Sequence, residues 1–571
     1  MKDGYLRGEQ SRPAPQRPRS GTVCGMPSSA PVRSLAVLTV VLCVATLDAR
    51  QPAVPAAVKA AADGISGEQL AWDLATLASN QWQGRNTSSP GFDAAADYII
   101  GRLRQADLSP AGDAGGFRQV YDLHETHVDT DAAVIEVGGR RFTLGRDFVL
   151  RSFMGTIDGP LPVVYVSHGW VVPGKGIDPY AGLDVRGKLV LAHGPRAMPK
   201  GVEIQHVGRT AINAQTPFVA AAERGAAGVL FITQASELVR WDELRGANTV
   251  RREMEPAVPS AYLATPITSV LLAPPVTEAL LDGEALDGRS AIRAGDEGVY
   301  PASFALKKSV TVRLVPGART VLRPYNVVAK LEGSDPVLRA EAVTIAAHLD
   351  GAVGAREVAG DRTYNAADDN ASGSAALLSM AEQMARGPRP RRSVIFIWDS
   401  GEEQGLWGTR WFVHRPAVPL TQIVAHVNVD MIGASRSPGG ADALSADVTE
   451  RGEVFVLGPR VLSASADALL ARVNGEYLKL KFNHKDDRPD SEFFYPRTDA
   501  GPFLERGILT IGFNTGIHAR YHQPSDEARH LDPVQMRDIA RTVLVSVWAL
   551  ADASERVRID KPLPPSVPKY R

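Results

Sequence analysis

Residues 393–408, SVIFIWDSGEEQGLWG, constrain the fold of this chain more than any other stretch. Residues 394–398 are apolar, rich in β-branched and aromatic side chains, and bounded by Arg391 and Arg392 on one side and Gly401 and Gly405 on the other. Such a run predicts a buried parallel strand leading into a tight turn. Similar runs recur at 327–331, 343–347, 424–429 and 508–513, with helical patterns such as 372–386 between them. The last helix is expected to start with Asp532 as N-cap and Pro533 as its first residue, running to about 552. Alternating strands and helices predict an α/β fold, a mostly parallel sheet flanked by helices.

Open α/β sheets carry their chemistry at the carboxyl ends of the strands, and here those ends share one chemistry. The 343–347 run delivers His348, with Asp350 two residues on. Asp369 lies in the turn before the 372–386 helix. The 394–398 run leads to Glu402 and Glu403, the 424–429 run to Asp430, and the 508–513 run is followed by Tyr521 and His522. Glu402 and Glu403 are neighbours and point different ways, so one can bind a metal while the other moves protons. Two histidines and several carboxylates without a thiolate suit Zn²⁺ or another borderline divalent ion. One carboxylate can bridge two ions roughly 3.5–4 Å apart.

The remainder of the chain is quieter. Its 571 residues allow two to four domains, the hydrophobic fraction of 44% supports large cores, and the net charge of −1 gives no reason to expect nucleic acid or an acidic surface as partner. Residues 35–47 form an apolar core preceded by Arg33 and followed by Asp48 and Ala49, the pattern of a secretory signal peptide. The Arg/Pro-rich residues before Met26 make Met26 an alternative start. Leu42 before Cys43 argues against a lipoprotein anchor. Cleavage after Ala49 would remove Cys24 and Cys43, the only cysteines, and leave an exported protein with no stable membrane association; an uncleaved anchor is the alternative.

Residues 91–108 put Phe92, Ala95, Ala96, Ile99, Ile100 and Leu103 on one helical stripe. From about 132 the texture changes to short strands, at 160–167, 187–192 and 225–232, with a helical link at 218–224. Nothing in 132–315 gathers metal ligands. The sequence His124-Glu125-Thr126-His127 is one residue short of the helical zinc motif and reads as solvated edge residues. Ser167-His168 has no nucleophile context. His193, His206, His414, His426, His484, His518 and His530 read as structural, His426 as a hydrogen-bonded core residue.

His348-Leu-Asp350, Asp369-Asn-Ala-Ser-Gly373, Glu402-Glu403-Gln-Gly405, Asp430-Met-Ile-Gly433 and Tyr521-His522 resemble, in that order, the M28 family of zinc peptidases. The likeness extends to Gln83-Gly84-Arg85 and to Tyr325-Asn-Val-Val. The stretch from Ile177, with Gly225-Ala-Ala-Gly-Val-Leu-Phe, resembles the protease-associated (PA) domain often inserted in this family. The resemblance implies a zinc aminopeptidase/phosphorylase-hydrolase-like fold with an inserted β-rich PA domain. The expected division is 1–49 signal and extension, 50–131 first part of the peptidase domain, 132–315 PA insertion, 316–560 peptidase domain and 561–571 flexible tail.

It also implies two Zn²⁺ ions and peptide substrates. Asp369 would bridge the ions, His348 and Asp430 completing one ligand set and Glu403 and His522 the other. Glu402 would be the general base. Asp350 would fix the tautomer and aim of His348, Asp526 would do the same for His522, and Tyr521 would hydrogen-bond the tetrahedral intermediate. The Asp369–Asn370 peptide bond would be cis. Two departures touch no ligand: Ala366 stands where the family has Gly, and Thr498-Asp499-Ala500 stands for Ser-Asp-His. The implied protein is an exported dizinc aminopeptidase. A carboxypeptidase, a glutaminyl-cyclase-like enzyme and a non-catalytic receptor-like homologue are the alternatives.

Overall fold

Strands Ser393–Asp399, Ala342–His348, Ile423–Val429 and Leu509–Asn514 lie side by side and parallel in the main sheet. The first three are buried at every position, which is why their sequences are apolar throughout rather than alternating. A computed structural model describes residues 54–194, 197–202, 214–258, 267–351, 354, 357–436, 447–489 and 498–564. The expected signal segment and both cysteines lie outside them.

Beyond these four strands the sheet is mixed. Tyr325–Leu331 joins Ser393–Asp399, and Ser109–Pro110 and Arg118–Val120 pair with it in turn. On the far side Glu453–Leu457 joins Leu509–Asn514, and Lys481–Asn483 follows. The two-residue period of the strands sorts side chains between two cores. Val343, Ile345 and Ala347 meet the helices Ala56–Asp63, Gly67–Leu77, Pro90–Gln105, Gly373–Arg386, Ala464–Glu476 and Pro533–Asp552. Ala342 and Ala346 belong to a smaller core with Trp407–His414 and Ala500–Glu505.

Helix ends follow the local sequence. The Asp532 carboxylate accepts the Val534 and Gln535 N–H groups, and Ser89 Oγ accepts that of Phe92. The stripe expected on Pro90–Gln105 is buried along its whole length. Ile559 and Leu563 pack against the large core, so the tail expected from 561 is held at its start. No helix among the described residues is long and apolar enough to cross a membrane.

Between Arg118–Val120 and Tyr325–Leu331 the chain builds a second, eight-stranded sheet. Its centre is parallel: Ile157–Tyr165, Leu189–His193, Gly228–Ile232 and Ser269–Leu272. A three-stranded sheet forms its neck, with Asp122–Val128 flanked by Val250–Glu255 and Pro316–Leu322. This corrects one expectation. The His124–His127 tetrad is on the central strand of that neck, not at an edge, and Glu125 pairs with Arg252 at 2.6 Å. The strands that flank it come from about 120 to 200 residues further along the chain, beyond the reach of any local pattern. Tyr121, Leu123, Met254 and Val258 of the neck region pack on Trp407 and Trp411 of the main domain.

Candidate metal centre

His348 ends its strand fully buried, and its Nδ1 lies 3.0 Å from the Asp350 backbone carbonyl. A carbonyl only accepts, so Nδ1 carries a hydrogen, and on losing the second proton the ring presents its lone pair at Nε2. That nitrogen faces Asp369 Oδ1 at 3.2 Å and Asp430 Oδ1 at 3.4 Å. His522 Nε2 lies 3.0 Å from Asp369 Oδ2 and 3.0 Å from Glu403 Oε2. The Asp369 carboxylate thus divides its two oxygens between two clusters, His348–Asp369–Asp430 and Asp369–Glu403–His522. In each cluster the ligand atoms lie within 4.8 Å of one another.

His348 Nε2, Asp430 Oδ1, Glu403 Oε1 and His522 Nε2 are buried with no hydrogen-bond partner. Orphaned polar atoms at this density require an explanation, and the nitrogen and oxygen donors fit Zn²⁺. Electrostatics agree with that fit. Burial opposes protonation of His348, but the facing Asp430 and Asp369 carboxylates raise its pKa well above the usual range. Asp369 and Glu403 overcome burial to push His522 up to about 10. Burial, with the Asp369 charge, raises Glu403 to about 7. Burial, against the opposing His348 charge and with Asp499, Glu403 and Asp430 nearby, holds Glu402 far above an ordinary carboxylate.

The loops that carry these groups are bolted together by side chains. Asp350 Oδ1 accepts the Glu402 N–H at 3.2 Å, Thr87 Oγ1 accepts the Gly401 N–H at 2.8 Å, and Asn326 Oδ1 accepts the Ser400 N–H at 3.2 Å. Asn370 Oδ1, Ser372 Oγ and Asp368 Oδ1 accept the N–H groups of Met431, Ile432 and Gly433, tying the Asp430 turn to the Asp369 loop. Arg85, fully buried, donates to the carbonyls of Leu77, Leu349, Asn365 and Ala366. Ala366, Met431 and His522 adopt left-handed backbone (φ 51°, 51° and 55°), strain of the kind concentrated at functional sites. The Asp369–Asn370 bond is cis, as the resemblance implies.

Two orienting assignments change. Asp350 orients His348 through its backbone carbonyl; its carboxylate is 3.9 Å from Nδ1 and holds Glu402 instead. Asp526 does not aim His522. Its carboxylate accepts the N–H groups of Asp368 and Asp369 at 3.0–3.2 Å and so braces the loop of the shared carboxylate. Tyr521 stacks on His522 with ring centroids 3.7 Å apart and lines the cleft that holds Asp369, Glu402 and Asp430.

Some contributors carry no clear signal in the sequence. His518, read as structural, donates from Nε2 to Asp368 Oδ2 at 3.1 Å, since its Nδ1 accepts the Arg520 N–H. Asp368 itself is visible only as the first half of an Asp-Asp doublet. Asp399 and Asp499 are both fully buried behind the cluster, where burial pushes Asp499 up to about 6. His426 matches its expected core role, bonded to Thr344 Oγ1 at 3.0 Å and stacked on Phe503.

Residues 326–547 match the sequence profile of peptidase family M28. This part of the chain is an M28 peptidase domain. Leupeptin-inactivating enzyme 1 of Streptomyces exfoliatus is 36% identical over 118 residues, 20% of this chain and only 24% of that protein. A longer match, 24% identical over 478 residues, is to the probable lipoprotein aminopeptidase LpqL of Mycobacterium tuberculosis, covering 78% of this chain and 77% of LpqL. The solved aminopeptidase from Aneurinibacillus sp. strain AM-1 is 16% identical, with a TM-score of 0.51 over 90% of this chain and 100% of that one. At that identity the likeness establishes a shared fold. The M28 match spans every proposed ligand, from His348 to His522.

Proposed function

We propose that this chain is an exported aminopeptidase using two zinc ions, with residues 132–315 as an inserted PA domain. The observation that carries the reading is the division of Asp369 between two histidine–carboxylate clusters. His348, Asp369 and Asp430 would hold one ion, and Asp369, Glu403 and His522 the other. Bound zinc supplies Lewis acidity, which lowers the pKa of water and polarises a peptide carbonyl. Glu402 lines the cleft without joining either cluster. Its carboxylate takes a proton from the attacking water and returns it to the leaving amine. Tyr521, on the cleft wall, donates its hydroxyl to the tetrahedral oxyanion.

The cleft also favours an aminopeptidase over a carboxypeptidase. None of the described residues lining it is Lys, Arg or His, so among them there is no cationic partner for a substrate carboxylate. Asp369, Glu402 and Asp430 suit a free α-ammonium. The test is a panel of aminoacyl chromogenic substrates beside N-blocked peptides, with zinc measured on the same protein. Cleavage of the unblocked substrates alone, with about two zinc equivalents, is the expected result. Cleavage of blocked peptides from the carboxyl end would reverse the polarity, and full activity with a single equivalent would remove the bridge.

A further inference from the structure

The turn that carries Glu402 and Glu403 is held by two different parts of the molecule. From Ser400 to Gln404 it is tied to the main domain. Asn326, Thr87 and Asp350 accept the N–H groups of Ser400, Gly401 and Glu402, and Gln404 Nε2 donates to Asn86 Oδ1 at 2.9 Å. The turn ends at Gly405, whose φ of 124° has no side chain to steady it. The Gly405 carbonyl accepts Arg410 Nη1 at 3.3 Å. The second terminal nitrogen of that guanidinium, Nη2, donates to the carbonyl of Val258, just beyond neck strand Val250–Glu255. One side chain thus joins the Glu402–Glu403 turn to the insert.

Packing repeats the connection. Trp407 lies against the turn: a Cβ built on Gly401 would come within 2.6 Å of its ring, and one on Gly405 would meet its Nε1 at 3.5 Å. The same tryptophan, with Trp411, shares an apolar cluster with Tyr121, Leu123, Met254 and Val258 of the neck region. Tyr121 is buried, and its Oη stands 3.0 Å from Ser400 Oγ. Ser400 Oγ gives its own hydrogen to Asn326 Oδ1, so the tyrosine is the donor. The neck therefore meets the turn through a hydroxyl at its start, a tryptophan along it and a guanidinium at its end. A guanidinium presents its donors in a fixed fork, so gripping two carbonyls fixes their separation.

We propose that Arg410 is a positioning residue: with Tyr121 it makes the neck of the insert the seat of the Glu402–Glu403 turn and so sets the aim of both carboxylates. This rests on the reading of Glu402 as base and Glu403 as zinc ligand. Without the fork the Gly405 carbonyl loses this partner and the turn is released at one end. A shift of about 1 Å in a reacting group can cost on the order of 100-fold in rate.

The test compares the zinc-loaded wild type with Arg410→Met, an unbranched replacement without donors. It reads kcat and KM for an aminoacyl chromogenic substrate, and hydrogen exchange of the backbone amides. Arg410→Met should lower kcat by about 10–100-fold, the cost of losing an outer partner of a metal site, with KM little changed. The amides of residues 401–406 should exchange faster, while strand Ser393–Asp399 keeps its protection. A role in packing alone would lower the melting temperature and leave kcat at the wild-type value. A folded Arg410→Met with kcat within about threefold of wild type, or with wild-type exchange at 401–406, would overturn the proposal. Should that variant fail to fold, Arg410→Lys carries the same test. It keeps the charge, but one ammonium cannot stand at both carbonyls, so the same signs are expected and the same results overturn it. If the wild type cleaves no aminoacyl substrate, the aminopeptidase reading falls. Exchange then tests the seat by itself: faster exchange at 401–406 in the variant supports it, and unchanged exchange overturns it.

Discussion

His348 and His193 occupy the same kind of position in two different sheets. Each ends a parallel strand, Ala342–His348 in the main sheet and Leu189–His193 in the insert, and each is fully buried. Their surroundings make them opposites. Around His348, carboxylates from two other loops converge, and the imidazole is driven toward its protonated form. Around His193 stand the Tyr165 hydroxyl, 2.8 Å from Nε2, and the Tyr300 ring; burial, with His168 beside it, pushes its pKa down to about 4. A histidine at a strand end is therefore no signal of metal chemistry in itself. What decides it is whether the neighbouring loops bring carboxylates onto the ring, as those around His348 do.

The largest effect expected is on proton transfer in the main domain. Glu402→Gln should retain zinc and fold while kcat falls by ~10²–10⁴-fold, with KM little changed, since ground-state binding is largely left in place. Glu403→Ala should lose an ion and its activity. Kinetics and zinc content on the two variants read this directly, and Glu402→Gln with near wild-type kcat would remove Glu402 from its role. His193→Phe, the counterpart in the insert, should leave the zinc content at the wild-type value.

Loop bracing comes next. Asp526→Ala strips the acceptor from the Asp368 and Asp369 N–H groups and should weaken zinc binding by ~10–100-fold, the usual cost of losing an outer partner of a metal ligand. Chelator competition measures it, and an unchanged affinity would mean the loop holds its shape unaided.

The charge difference between the two histidine environments has its own signature. In the zinc-free protein His522 is protonated up to about pH 10 and Glu403 up to about 7. Zinc must displace those protons, so affinity should rise with pH from 6 to 9 by up to about tenfold per unit for each proton released. Titrations in buffers of different ionisation enthalpy would count the protons, and a flat profile would contradict the protonated site.

The smallest effect belongs to the insert. With a folded pKa near 4 against 6.5 unfolded, His193 contributes its full stability above pH 6.5 and loses it as pH falls from 6.5 toward 4. The loss is at most ~3 kcal/mol. His193→Phe should flatten that part of a melting-temperature profile, although His168, also lowered to about 4, retains a slope of the same sign. An unaltered profile would show that His193 is not the titrating group.

Much of this molecule is legible in its local sequence. Strands of five to seven apolar residues, a helical stripe from Phe92 to Leu103 and the Asp532-Pro533 cap are local patterns, because hydrogen bonding and burial along one element depend on its own residues. The five proposed ligands are legible for a related reason: each sits in a strand-end loop or in the turn opening a helix, where an α/β sheet gathers its loops. The sequence does not say which atom of Asp350 orients His348, that Asp526 braces a loop rather than a histidine, or that His518 serves Asp368. Nor does it say that the His124–His127 strand lies in the middle of its sheet. Those facts depend on pairings between residues some 120 to 200 positions apart in the neck and about 150 apart at the His518–Asp368 bond. Chain packing alone brings such partners together, and the direction of a side chain within a loop follows from what it meets there.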